Sequence, residues 1–211
     1  GTIAMDVFDT IHSMRAMRRL KPDPVPKALL EKILSAGIQA PSGQNTQPWA
    51  FLVLTEAANK KFFGDRYNYW LRERFGDLLL KNDTSSPYGR TINAARHLGD
   101  HMHEAPVILM VFGKRDWPFN VKEDDRQGNA PPSYGSIYPC VQNILIAARA
   151  LGLGASLTTM HQMFEDEIHD QFNVPRTHGI VATIPIGYPE GNFGPLTREP
   201  LNKKVHYEQW T

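Results

Sequence analysis

Three short, uninterrupted apolar runs constrain the fold of this chain most: Trp49–Leu54 (WAFLVL), Val107–Phe112 (VILMVF) and Ile180–Gly187 (IVATIPIG). A strand with one wet face alternates apolar and polar residues, whereas a strand covered on both faces reads as a continuous apolar run. The segments between these runs have helical spacing. From Pro26, residues Leu29, Leu30, Ile33, Leu34 and Ile38 share one stripe that ends near Gly37. Asn59–Lys81 is aromatic and charged and reads as a helix; a Ser/Pro/Gly break over Ser85–Gly89 precedes another near Ile92–His103. Val141, Ile144, Leu145, Ala148 and Leu151 are in register on a strongly apolar helix closed by Gly152 or Gly154, and EDEIHDQF forms a shorter one. Strands interleaved with helices predict a layered sheet covered on both faces, an α/β or α+β sandwich.

At 211 residues with no linker and no internal repeat, one domain spanning 1–211 is expected. Its 23 basic and 22 acidic side chains nearly cancel, which argues against a nucleic-acid or anionic-membrane partner held by bulk charge, so any anion must be held by local charge. No apolar run approaches the length of a membrane span, the start GTIAMDVFD is acidic where a leader would be basic, and Cys140 has no cysteine to pair with. A cytoplasmic protein is expected.

Four stretches carry chemistry or its absence. In APSGQNTQPW, hydrogen-bonding groups crowd the mouth of the first apolar run, either as an ordinary turn or as a pocket floor that reads a polar ligand. In HSMRAMRRLK, Arg15, Arg18 and Arg19 would share one side of a helix, either as a solvated basic face or as a fork for phosphate. His97 and His101 have metal-ligand spacing, but no glutamate directly follows the first and no third ligand is evident, so no metal is expected. GLGASL lacks the third glycine of a dinucleotide turn and follows a helix, so a nicotinamide would bind without a Rossmann module. There is no G-x-S-x-G elbow and Cys140 sits in an apolar helical run, which leaves the catalytic residue unassigned.

Taken in order, MRAMRRLKPDPVP, APSGQNTQPWAFLVL, APVILMVFG, SIYPCVQNILIAARALGLGAS, IPIGYPEG and TREPL resemble the FMN-dependent nitroreductase family over about residues 10 to 205. The resemblance implies an α+β fold, a three-layer α/β/α sandwich that forms a homodimer with each FMN pocket built from both subunits. It places Pro41, Ser42, Gly43, Asn45 and Gln47 against the flavin, where small residues admit the backbone and amides supply donors without charge. The family's Arg-Arg-Ser-x-Arg motif falls on Met14–Arg18, which gives Arg15, Ala16 and Arg18 flavin contacts, although Met14 and Ala16 lack the usual side-chain donors. Arg198 matches the arginine that meets the phosphate; Leu157, Thr158 and Thr159 run along the ring near N5, and Arg18 is the cation for N1. Substrate walls fall on Arg66–Phe75 and Trp117–Tyr134, and the tail 198–211 becomes an arm on the other subunit.

The activity implied is ping-pong reduction, with NAD(P)H as the transient donor and a small-molecule acceptor such as a nitroaromatic, quinone or enone. The alternatives are a specialised branch such as a reductive dehalogenase, a protein that sequesters flavin or senses redox state without turnover, and a deazaflavin in place of FMN.

Overall fold

The computed structural model describes residues 5–114 and 134–210. Asp6 accepts from the Phe8 N–H at 3.0 Å and so caps α1 (Val7–Ser13), which Met14 ends in an extended conformation. The arginine cluster that follows is therefore not helical, which corrects the expectation from the sequence. Residues 14–20 run as a ribbon along the sheet margin, with Ala16 bridging Ala155 and Leu20 bridging Pro189. Gly154 permits the close approach, since a Cβ there would lie 2.9 Å from that of Met17.

The remaining elements are α2 (Lys27–Gly37), β1 (Trp49–Leu54), α3 (Ala57–Phe75), α4 (Pro87–His101), β2 (Val107–Lys114), α5 (Tyr134–Ala150), β3 (Gly154–Ala155), α6 (Glu165–Phe172) and β4 (His178–Gly187). Among the described residues, four strands form an antiparallel sheet in the order β1-β2-β4-β3. The three apolar runs are its long strands; β3, two residues long, has no periodicity to announce it. Gly76, at φ +49°, breaks α3 before a 3₁₀ turn over Gly76–Leu80, so the helix is shorter than Asn59–Lys81 suggests. Helix α4 starts at Pro87 rather than near Ile92, because the Ser86 hydroxyl accepts the Gly89 N–H at 2.9 Å and proline suits a first helical turn.

Strand β2 explains its own continuous hydrophobicity. Val107, Leu109 and Val111 join an apolar cluster with Ile33 of α2 and Ile144 of α5, while Ile108, Met110 and Phe112 join another with Phe63 of α3 and Leu98 of α4. Full burial of each such side chain contributes about 1.5–3 kcal/mol. Exposed ion pairs such as Lys61–Asp65 contribute at most about 1 kcal/mol each, so the two clusters hold the fold. Opposite Phe112 a bulge shifts the register, with Val111 facing Ala182 and Phe112 facing Ile180. Gly37 brings α2 against α5, since a Cβ there would lie 2.8 Å from Ile144 Cγ1. The buried Cys140 packs at the same crossing, and burial pushes its thiol up to about 12.

Among the described residues no helix is long and apolar enough to cross a membrane. Residues 117–133 of the expected pocket wall Trp117–Tyr134 lie outside the described residues.

Candidate functional site: an arginine-lined cleft

Residues 15–19, the first turns of α4 and residues 191–198 enclose a cleft of about 570 Å³. Five arginines line it: Arg15, Arg18, Arg19, Arg90 and Arg198; no aspartate or glutamate does. Among the described residues none of the five makes an ion pair with a carboxylate. A guanidinium presents a planar fork that matches phosphate or carboxylate geometry, which makes the cleft a receptor for anions.

The arginines are held from several directions. Arg15 Nη1 donates to the Pro195 carbonyl at 3.3 Å, and Arg149 lies over the Phe193 ring at 3.9 Å, which anchors the segment that carries Arg198. Arg18 is half-buried beside Tyr67. Burial lowers the Arg18 pKa and pushes the Tyr67 phenol up to about 12, against the opposing effect of the Arg18 charge, so Tyr67 stays a neutral neighbour. Arg19 Nη1 donates to His97 Nδ1 at 2.8 Å. His97 stacks on His101 at 4.3 Å, and burial, then the charge of Arg19, lowers its pKa, so its neutral ring accepts from Arg19. His101 in turn pairs with Glu104 at 2.9 Å, so these two histidines engage protein groups.

Loop 41–47 lies elsewhere and lines no part of this cleft. The Ser42 hydroxyl accepts the Gln47 N–H at 2.8 Å and its carbonyl accepts the Asn45 N–H at 2.9 Å. Gln44, Asn45 and Gln47 are held at φ 53°, 53° and 51°, a left-handed region that costs a non-glycine residue about 1–2 kcal/mol. Strain of this kind, in a loop where Pro41, Gly43, Asn45 and Gln47 are all exposed, points to a functional constraint.

Ala16 links the cleft to the turn after β3 through its bridge with Ala155. In that turn the Thr158 N–H donates to Thr183 O at 2.9 Å, and the Thr158 hydroxyl donates to the same carbonyl at 2.8 Å. The Thr158 amide is therefore committed to the sheet. The N–H groups of Leu157 and Thr159 have no protein acceptor among the described residues, and both residues are exposed, so they are the donors this turn offers a ligand.

Sequence reading missed three features here: Arg90, the Arg19–His97 contact, and His161 just beyond the turn. His161 is buried with no partner on Nδ1, and burial pushes its pKa down to about 4. The Ser-Pro pair that starts α4 was the one available signal, since it fixes where Arg90 projects.

The fold and the cleft define an antiparallel α+β protein with an arginine-lined cleft whose chemistry suits an anion. Residues 11–188 match the model of the Nitroreductase family, and the chain belongs to that family. It is 28% identical over 212 residues to a protein of Methanothermobacter thermautotrophicus named as a candidate NADH dehydrogenase/NAD(P)H nitroreductase, with 98% of this chain and 88% of that protein covered. Among solved structures, a candidate nitroreductase of Desulfovibrio desulfuricans in complex with FMN matches 99% of this chain and 100% of its own, at 27% identity and a TM-score of 0.65. An iodotyrosine deiodinase bound to FMN and 3-iodo-L-tyrosine shares the fold at a TM-score of 0.75 and 22% identity, over 97% of this chain and 100% of its own.

Proposed function

We propose that the protein is an FMN-dependent oxidoreductase that accepts electrons from NAD(P)H and passes them to a small-molecule acceptor through one shared cleft. The observation that carries this reading is the set of five arginines in a cleft without a carboxylate. FMN, when bound, supplies the two-electron carrier that no side chain in the cleft provides. Arg15 and Arg198 hold its phosphate by charge-assisted hydrogen bonds. Arg18, half-buried and positively charged, sets a positive potential beside the ring; the free N–H groups of Leu157 and Thr159 orient it.

In this reading the whole chain is one flavin-binding domain, a three-layer α/β/α sandwich, and two copies form a homodimer. Loop 41–47 completes the partner's cleft rather than its own, which is why its strained, exposed amides lie away from the arginines of the same chain. Two further features support pairing. Strand β1 ends the sheet with an open edge, and large apolar side chains are exposed at both ends of the chain, Phe8 at 69% and Trp210 at 88%. The arm 198–211 lies on the partner subunit.

Anaerobic addition of NADH or NADPH to the yellow, FMN-loaded protein tests the activity. The colour should bleach in seconds and return with a quinone or nitroaromatic. Colour that persists would sink the enzymatic reading and leave flavin storage.

A further inference from the structure

We infer that the small molecule sharing the cleft with FMN carries an acidic group, a carboxylate or a phosphate, which Arg90 reads with help from Arg19. This rests on the FMN reading above, because it concerns the charge left once the flavin is in place. In that reading Arg15 and Arg198 would hold the FMN phosphate and Arg18 would face the ring. Arg19 and Arg90 remain, and among the described residues neither makes an ion pair with a carboxylate. A cleft lined by a single sign of charge concentrates counter-ions.

Arg90 has the geometry of a reader rather than of an idle surface charge. Its Nη1 donates to the Thr84 carbonyl at 3.1 Å and to the Ser85 carbonyl at 3.2 Å, which fixes one end of the fork. Nη2 and Nε have no partner among the described residues and are available to a ligand. The turn that holds Arg90 is itself fixed by Asp83, whose carboxylate accepts from the Ser85 N–H at 2.8 Å, the Ser85 hydroxyl at 2.6 Å and the Ser86 hydroxyl at 2.6 Å. These hydrogen bonds hold Asp83 well below the usual carboxylate range, so it stays ionised while spending its acceptors on the turn and leaving Arg90 unpaired. The fork is thereby ordered in advance, which reduces the entropy lost on binding.

Two neighbours reinforce the site. The first turns of α4 line the cleft through Pro87, Arg90 and Thr91, and a 15-residue helix carries partial positive charge at this end. Arg19 is oriented by its hydrogen bond to His97 Nδ1 at 2.8 Å, a neutral acceptor that brings no counter-charge. Ala94 and Leu196 supply apolar wall beside the cations, which suits an acidic substituent on an otherwise apolar or aromatic body.

The acidic group is either a carboxylate or phosphate of the acceptor or the 2′-phosphate that NADPH carries in addition to the pyrophosphate common to both nicotinamide donors. The test compares kcat/KM within matched pairs: 4-nitrobenzoate against nitrobenzene, and NADPH against NADH. Wild type should favour the member with the additional acidic group in at least one pair about 10-fold or more at low salt, and this preference should shrink as salt rises. Arg90→Gln should lower that ratio about 10- to 100-fold, the loss expected for one charge-assisted hydrogen bond, and Arg90→Lys should restore part of it. Bound-flavin absorbance and far-UV circular dichroism of each variant confirm that the fold and the cofactor are retained. A change confined to the first pair places the acid on the acceptor; one confined to the second places it on the donor. No preference in either pair, or ratios that Arg90→Gln leaves unchanged, would overturn the inference, as would loss of FMN from that variant, which would make Arg90 a cofactor ligand. If wild type takes up no FMN, the functional reading falls instead. Calorimetric titration with 4-nitrobenzoate and NADPH then decides the inference, since equal affinity for wild type and Arg90→Gln overturns it and weaker binding to the variant upholds it.

Discussion

Acid should loosen this protein through His161 before most carboxylates titrate. The ring is 1% exposed in the 3₁₀ turn Met160–Met163, and Nδ1 has no partner. Burial drives its pKa from 6.5 down to about 4, although the Glu165 charge and the Ile180 main chain favour the protonated form. The unfolded chain therefore binds a proton that the native state refuses between those two values, so stability is full above about pH 6.5 and is lost as pH falls toward 4. With about 1.4 kcal/mol per unit, this residue removes about 2 kcal/mol between pH 7 and 5 and about 3 kcal/mol by pH 4. At a urea m-value of about 2 kcal/mol/M the midpoint should move about 1 M lower at pH 5 than at pH 7. The assay is urea unfolding followed by far-UV circular dichroism at fixed protein and flavin concentration, with His161→Gln as the reference that lacks the titration. Wild type should lose stability faster than His161→Gln over that range; parallel loss in the two proteins would refute the assignment of the buried neutral ring.

Gly37→Val should place a side chain into Ile144 and Cys140 at the α2–α5 crossing and destabilise the protein by about 1–3 kcal/mol, a melting temperature about 2–10 °C lower; an unchanged melting temperature would mean the helices can separate freely. Arg198→Ala and Ser42→Ala should each weaken FMN binding about 10-fold or more. Mixed dimers of the two variants should regain one tight site of two, measured by flavin titration, and a mixture no better than its parents would disprove a pocket shared between subunits.

Much of the fold was legible because burial on both faces leaves an uninterrupted apolar signature. The three long strands and the stripes of α2 and α5 followed from that signature and from 3.6-residue spacing, and Gly152, at φ +76°, ends α5 as such a glycine should. The arginine ribbon was misread because local spacing cannot reveal that Met14 ends the helix and that Ala16 finds a strand partner in Ala155, far along the chain. The same limit hid β3, whose pairing is entirely long-range. At the site, Arg15, Ala16, Arg18 and Arg198 do line one cleft, whereas loop 41–47 does not meet them within a single chain. Arg90 escaped notice because its role depends on a turn built by Asp83 and on α4 meeting the ribbon, neither of which is encoded in a motif.

The bulge opposite Phe112 separates hydrogen-bonding phase from facing direction along β4. Ile180 joins the side occupied by α3 and α4, whereas Ala182, two positions on, joins that of α2 and α5. The Ile180 amide turns from the ladder and is taken by the Glu165 carboxylate at 3.0 Å, so α6 is moored to an interior strand by a polar tether as well as by apolar contact.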